Sequence, residues 1–287
     1  MAGNILRMAI PMTIAQMVNV LYSVVDRFFI GHIDGASSMA LTGVGIVFPI
    51  ISVITAFTNL FGMGGAPLCS IARGRQDLDL AGRIQGSSCY MLGLTAVVLT
   101  AIGVLFMRPI LEVFGASPDT YPYARDYFSV YIWGTPFAML GLGMNGFINS
   151  QGFGRVGMVT ITAGAVVNAV LDPVFIFVLH QGVRGAAIAT VISQLVSALW
   201  VMKFLTGKRA LIPLRRTQIR WQPEILKDTV QLGFSHFIMS FTNAVTQFAY
   251  NYELRALGGD VLVGAMTVIN SVREVVTMPA NGLTGGA

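Results

Sequence analysis

The sequence predicts an all-α polytopic membrane protein, a six-helix N-terminal bundle followed by the first two helices of a parallel-repeat second bundle, about eight transmembrane helices of about twelve. Three observations lead there. Of 287 residues, 54% are hydrophobic and 11% are charged, whereas a soluble domain carries about 25% charged residues; the mean hydropathy is +0.70. Apolar segments of bilayer length recur along the whole chain. A faint internal repeat then divides the chain in two.

Spanning a bilayer takes about 20 mostly apolar residues, and such segments lie at roughly 8–31, 39–63, 85–107, 121–148, 156–179 and 185–206, then at about 225–252 and from about 261. The first, from Met8, lacks a strongly basic leading region and a small-residue cleavage site, so it reads as a retained span. NILR at 4–7 resembles EILK at 224–227, an offset of 220, and GMGGA at 62–66 resembles LTGGA at 283–287, an offset of 221. Six spans separate the copies; an even number makes both enter the membrane from the same side, as parallel repeats do. The expected organisation is an N-terminal six-helix lobe at 1–206, a cytoplasmic basic linker at 207–223, and the first two helices of a C-terminal lobe, truncated, at 224–287.

Lys and Arg set the orientation, because cytoplasmic loops collect them. With the N-terminus inside, the cytoplasmic side holds twelve of the eighteen bases, among them Arg73, Arg75, Arg83, Arg155, Lys203 and the run KRALIPLRRTQIR at 208–220. The opposite side and the outer helix ends hold Arg27, Arg108, Arg125, Arg184 and Arg255. The net charge of +5 therefore has a topological explanation. Nucleic-acid binding needs a basic face on a soluble module, and none is present. Cys69 and Cys89 form no CxxC pair and read as packing residues, and His32, His180 and His236 show no metal-ligand spacing.

The chemistry is carried by the polar residues inside the spans, since an intramembrane carboxylate is costly and is usually functional. In VVNAVLDPVFIF, 166–177, Asn168 and Asp172 stand four apart and share one helical face. Gly164, one turn earlier, allows close approach by another helix. Pro173 lacks the N–H that would bond the Ala169 carbonyl and can bend the helix there. Asp26 lies in the first span, and at about 1.5 Å per residue it and Asp172 both sit roughly 25 Å from the cytoplasmic end. Tyr127 and Tyr131 on the fourth span and Thr190 on the sixth fall in the same outer half of the bundle. Such oxygens suit a small hard cation, and a desolvated carboxyl group can also take a proton. The alternative is that these groups only hold helices together by hydrogen bonds. The Arg273–Glu274 pair in the eighth span is either a local ion pair or part of a substrate wall.

Two motif matches carry less. GLGMNG, 141–146, fits GxGxxG but lies within a membrane helix, where the dinucleotide mechanism has no geometry, so it reads as helix packing. Paired membrane aspartates also suit intramembrane proteolysis, but the only GD dipeptide, Gly259–Asp260, sits in a short outer loop.

The run VVDRFFIGHIDGASSMALTGVGIVFPI (24–50), then FGMGGAPLCSIARG (61–74), NAVLDPVFIF (168–177) and GVRGAAIATVISQ (182–194) together resemble the multidrug and toxic compound extrusion (MATE) family. The resemblance covers essentially the whole chain. It implies two six-helix lobes facing each other in a V and a secondary active antiporter that exports lipophilic or cationic compounds in exchange for H⁺ or Na⁺. On the matching motifs it implies a cation or proton coupling site at Asp26, Asn168, Asp172, Thr190 and Tyr127, with Na⁺ the candidate metal at Asp26, Asn168 and Asp172. It also implies a hinge at Pro11, to which the bend at Pro173 adds. Some family members carry a carboxylate on the seventh helix; Glu253 lies too near the outer end to take that role.

The expected protein is thus a transporter and not an enzyme, without a cofactor beyond the coupling ion. Its expected partners are small molecules and the lipid bilayer, with no nucleic acid. It is expected to be a monomer at full length, in the cell inner membrane with a cytoplasmic N-terminus. The rival readings are a lipid-linked precursor flippase of the same wider superfamily, which would favour an Arg-rich cavity, and a non-transporting membrane scaffold.

Overall fold

In the computed structural model, residues 14, 17–18, 21–22, 24–33 and 37–286 are described, and all regular structure among them is helical. Pro11 and the NILR segment lie outside the described residues. We label the helices α1 (24–30), α2 (Ser37–Gly74), α3 (Leu78–Leu105), α4 (Met107–Val113), α5 (Tyr121–Ser150), α6 (Gly154–Pro173), α7 (Gly182–Thr206) and α8 (Pro223–Gly286).

The helix limits follow local chemistry. The Asp77 carboxylate accepts the Leu80 N–H and starts α3, satisfying an end donor that has no partner inside the helix. Pro122 falls in the first turn of α5, where a missing N–H costs nothing, and Pro223 opens α8 for the same reason. The second span is longer than predicted. At about 1.5 Å per residue the 38 residues of α2 measure about 57 Å; the helix runs on through Pro67 and ends at Gly74. The short α4 was not foreseeable from span length. The seventh and eighth spans are two helical stretches of α8 separated by a kink at Gly258 and Gly259, whose backbone is not helical; Gly259 has φ 68°, a left-handed conformation open to glycine.

Four helical stretches among the described residues are long and apolar enough to cross a membrane by length and composition: Ser38–Gly74, Leu78–Leu105, Gly154–Val178 and Gly182–Thr206. The predicted eighth span contributes a shorter apolar stretch, Leu257–Asn270, and the predicted fourth and seventh spans are more polar. α5 tolerates this because it is the core of the bundle, packed against α2, α3, α6 and α7. Its Phe128, Ile132, Met139, Met144, Phe147 and Ile148 are fully buried. The GLGMNG segment lies on α5, as the packing reading requires: a Cβ at Gly62 of α2 would fall 2.9 Å from the Gly143 backbone.

The basic linker is less of a linker than its composition predicts. Ala210, Ile212 and Leu214 are buried, and the Ile212 N–H donates to Gln151 Oε1 at 3.0 Å. Gln151 Nε2 in turn donates to Gln85 Oε1 at 3.2 Å, joining the linker to α5 and α3. The segment is a strap across one end of the bundle, where α2, α5 and α7 finish and α3, α6 and α8 begin. That end carries Arg73, Arg75, Arg155 and Lys203 and is called the basic end below.

Candidate functional site

The predicted intramembrane residues come together between α1, α5, α6 and α7. Asn168 and Asp172 are fully buried on one face of α6, and Asp26, Tyr127, Tyr131 and Thr190 are buried beside them. Asn168 Nδ2 donates to Asp172 Oδ1 at 3.2 Å and to Thr190 Oγ1 at 3.4 Å, linking α6 to α7. Thr190 also shares a hydrogen bond with the Tyr127 hydroxyl, which brings in α5. Asp26 lies close enough to both Asp172 and Tyr127 to interact with them electrostatically. The rings of Tyr127 and Tyr131 stack with centroids 5.9 Å apart.

Local sequence explains why these groups face inward. The i, i+4 spacing puts Asn168 and Asp172 on one stripe of α6. Gly164, on the same stripe, lets α7 approach until a Cβ there would run into Ser197 Oγ. Immediately after Pro173 the helix widens into a π-helical turn, Val174–Val178, instead of simply bending. Such turns commonly mark functional positions.

Among the described residues, three oxygens in this cluster are buried without a hydrogen-bond donor: Asp26 Oδ1, Asn168 Oδ1 and Asp172 Oδ2. A buried polar atom left unpaired costs about 1–3 kcal/mol. Three acceptors gathered from two helices are therefore a donor set that suits a proton or a hard cation, and the residues present fit a Na⁺ ion. The guanidinium of Arg27, adjacent to Asp26, lies 4.4 Å from the centre of the Phe48 ring on α2. Glu253, on α8, is exposed and apart from the cluster.

Gln194 is a further polar member. Its Nε2 donates to the Tyr131 hydroxyl at 3.4 Å and its Oε1 is buried without a partner. The signal in the sequence is its place four residues after Thr190, hence on the same face of α7. From Gln194 a cavity of ≈ 80 Å³ runs toward the basic end, with Tyr22, Thr160, Ser193 and Ser197 in its wall.

The family model MatE matches residues 11–174. The chain is 27% identical over 250 residues to multidrug export protein MepA of Staphylococcus haemolyticus (strain JCSC1435), covering 87% of this chain and 55% of that protein. It thus spans about half the length of the curated relatives it matches. Among solved structures, the MATE multidrug transporter DinF-BH is similar at 31% identity and TM-score 0.91, over 98% of this chain and 62% of that one. A MOP superfamily transporter from Pyrococcus furiosus Vc1 (DSM3638), described as having a binding pocket of reverse polarity, is similar at 25% identity and TM-score 0.87, over 99% of this chain and 62% of that one.

Proposed function

We propose, because this chain belongs to the MatE family, that it works in a secondary active multidrug efflux antiporter exporting lipophilic or cationic compounds in exchange for H⁺ or Na⁺ by alternating access. The observation that carries this reading is the set of three unpartnered buried oxygens on Asp26, Asn168 and Asp172. A bound cation or proton would neutralise the carboxylates and relieve the cost of burying them. Coupling requires only that the ion bind the two conformations unequally.

The residues of this chain divide the work. Asp26 and Asp172 take the charge, Asn168 orients Asp172 and adds its own oxygen, and Thr190 with Tyr127 ties α7 and α5 to whatever α6 does. The π-helical turn after Pro173 is the element we assign to repacking; Pro11 on the first span is the second proposed hinge. The distribution of Lys and Arg supports a cell inner membrane protein with the basic end and the N-terminus in the cytoplasm. A flippase of anionic lipid-linked precursors is less well supported, since the described intramembrane cluster presents two acids where a pyrophosphate needs bases.

The test is export of a fluorescent lipophilic cation from vesicles holding the protein expressed from its full natural reading frame, with pH and Na⁺ gradients imposed separately. Export driven by one gradient and lost in Asp172→Asn supports the antiporter and identifies the ion. Export by Asp172→Asn equal to wild type, or no export under either gradient, overturns it.

A further inference from the structure

At the basic end, a cavity of ≈ 390 Å³ opens between the first turns of α3 and the strap, lined by Asp79, Arg83, Arg215, Thr217, Gln218 and Arg220. Its walls are built. Gln218 lies against α3 where Gly82 and Gly86 leave room; a Cβ at either would run into it. The Arg215 N–H donates to Gln218 Oε1 at 3.3 Å, closing the turn of the strap. Arg83 Nε donates to Gln222 Oε1 at 2.8 Å, which fixes the guanidinium while its terminal amino groups keep no hydrogen-bond partner among the described residues.

None of Arg83, Arg215 and Arg220 forms an ion pair among the described residues. The lining holds a single carboxylate, Asp79. Three guanidinium groups around one opening repel one another unless an anion joins them, and the planar arginine fork matches phosphate in particular. The surroundings suit a bilayer surface. Trp221, next in the chain to Arg220, is exposed, as are Leu78 and Leu211; tryptophan favours the headgroup level. Basic pockets between membrane helices on the cytoplasmic side suit lipid head groups.

We propose that this cavity binds the phosphate group of an anion, either the headgroup of an anionic phospholipid, which the exposed apolar surroundings favour, or free phosphate. Binding would brace the strap against α3 and so join the bundle to α8. It is independent of the ion coupling proposed above.

The experiment titrates the full chain in detergent with phosphatidylglycerol, phosphatidylcholine and inorganic phosphate, reading bound molecules by native mass spectrometry. Wild type is compared with Arg215→Gln/Arg220→Gln, with Arg83→Gln, and with Lys208→Gln/Arg209→Gln as a control of equal charge outside the cavity. At about fivefold per arginine in contact with the phosphate, the cavity pair is expected to lose about 25-fold in phosphatidylglycerol affinity and the control pair, outside the cavity, less than about twofold. Preference for phosphatidylglycerol without phosphate binding assigns the site to lipid; phosphate binding sensitive to the same substitutions assigns it to free anion as well. Equal loss in the cavity and control pairs overturns the proposal, as does the absence of binding by both phosphatidylglycerol and phosphate.

Discussion

Two regions of this molecule bury aspartate oxygens, and they differ in what surrounds them. At the bend of α8, Asp260 Oδ2 accepts from Ser117 Oγ at 2.6 Å, and its backbone carbonyl accepts from Thr42 Oγ1 at 3.0 Å. Ser117 is itself bonded to Thr120, and Arg255 reaches the Ala116 carbonyl at 3.3 Å. These bonds close the outer corner, tying α8 to α2 and to the turn before α5. Asp260 Oδ1 is also buried without a partner. An unpartnered carboxylate oxygen is therefore not enough to mark a cation site. In the bundle, by contrast, three such oxygens converge from α1 and α6, and the hydrogen bonds present orient the group without satisfying it. The outer aspartate holds two elements together; the inner pair leaves acceptors for something else.

Substitutions put this contrast at risk. The largest effect is expected for Asp172→Asn, which keeps the shape and removes the charge: gradient-driven export should fall by about 100-fold, near the upper range of coupling free energies, while the folded fraction stays at wild type. Next comes Asp26→Asn, with a loss of about 10- to 50-fold, because Asp172 and Asn168 still contribute acceptors. Should Asp26→Asn export normally while Asp172→Asn fails, the site would shrink to α6 alone. Thr190→Ala removes one hydrogen-bond partner of Asn168 and one of Tyr127, for about a fivefold loss corresponding to about 1 kcal/mol. The smallest effect on coupling belongs to the outer corner. Ser117→Ala should leave the ratio of ions to substrate unchanged and lower stability by about 1–3 kcal/mol, read from a denaturant titration, since it strips a charge-assisted hydrogen bond. A changed ion dependence in Ser117→Ala would erase the distinction between the two regions.

Packing between the helices gives a separate check. Gly164→Leu would push α6 off α7 at Ser197, with an expected loss of about 1–3 kcal/mol from overpacking. If its export falls far more steeply than its stability, the spacing of α6 and α7 is itself part of coupling.

Much of the candidate site is legible in the sequence because a bilayer makes polarity conspicuous: Asn168 and Asp172 stand out in an apolar run, and their spacing of four fixes a common face. The same logic finds Asp26, and the helical depth count brings Thr190 and Tyr127 to its level. Gln194 escapes it, since a glutamine near the middle of a helix has no signal apart from its neighbour at i−4. The role of the linker escapes it too. KRALIPLRRTQIR reads as an orientation signal, yet the burial of Ile212 and Leu214 and the bonds of Gln151 make it a strap.

The membrane solvent, the helical class and the residues of unusual polarity are all written along the chain, because they follow from hydropathy and from periods of three to four residues. The folded arrangement alone settles which polar atoms remain unpaired, that the seventh and eighth spans join through a bend at Gly258 and Gly259, and that the basic segment packs down against α3 and α5. Hydrogen-bond satisfaction and close packing belong to pairs of residues distant in the chain. Asn168 and Thr190 are 22 positions apart and Ser117 and Asp260 are 143 apart, and no local pattern records that they meet.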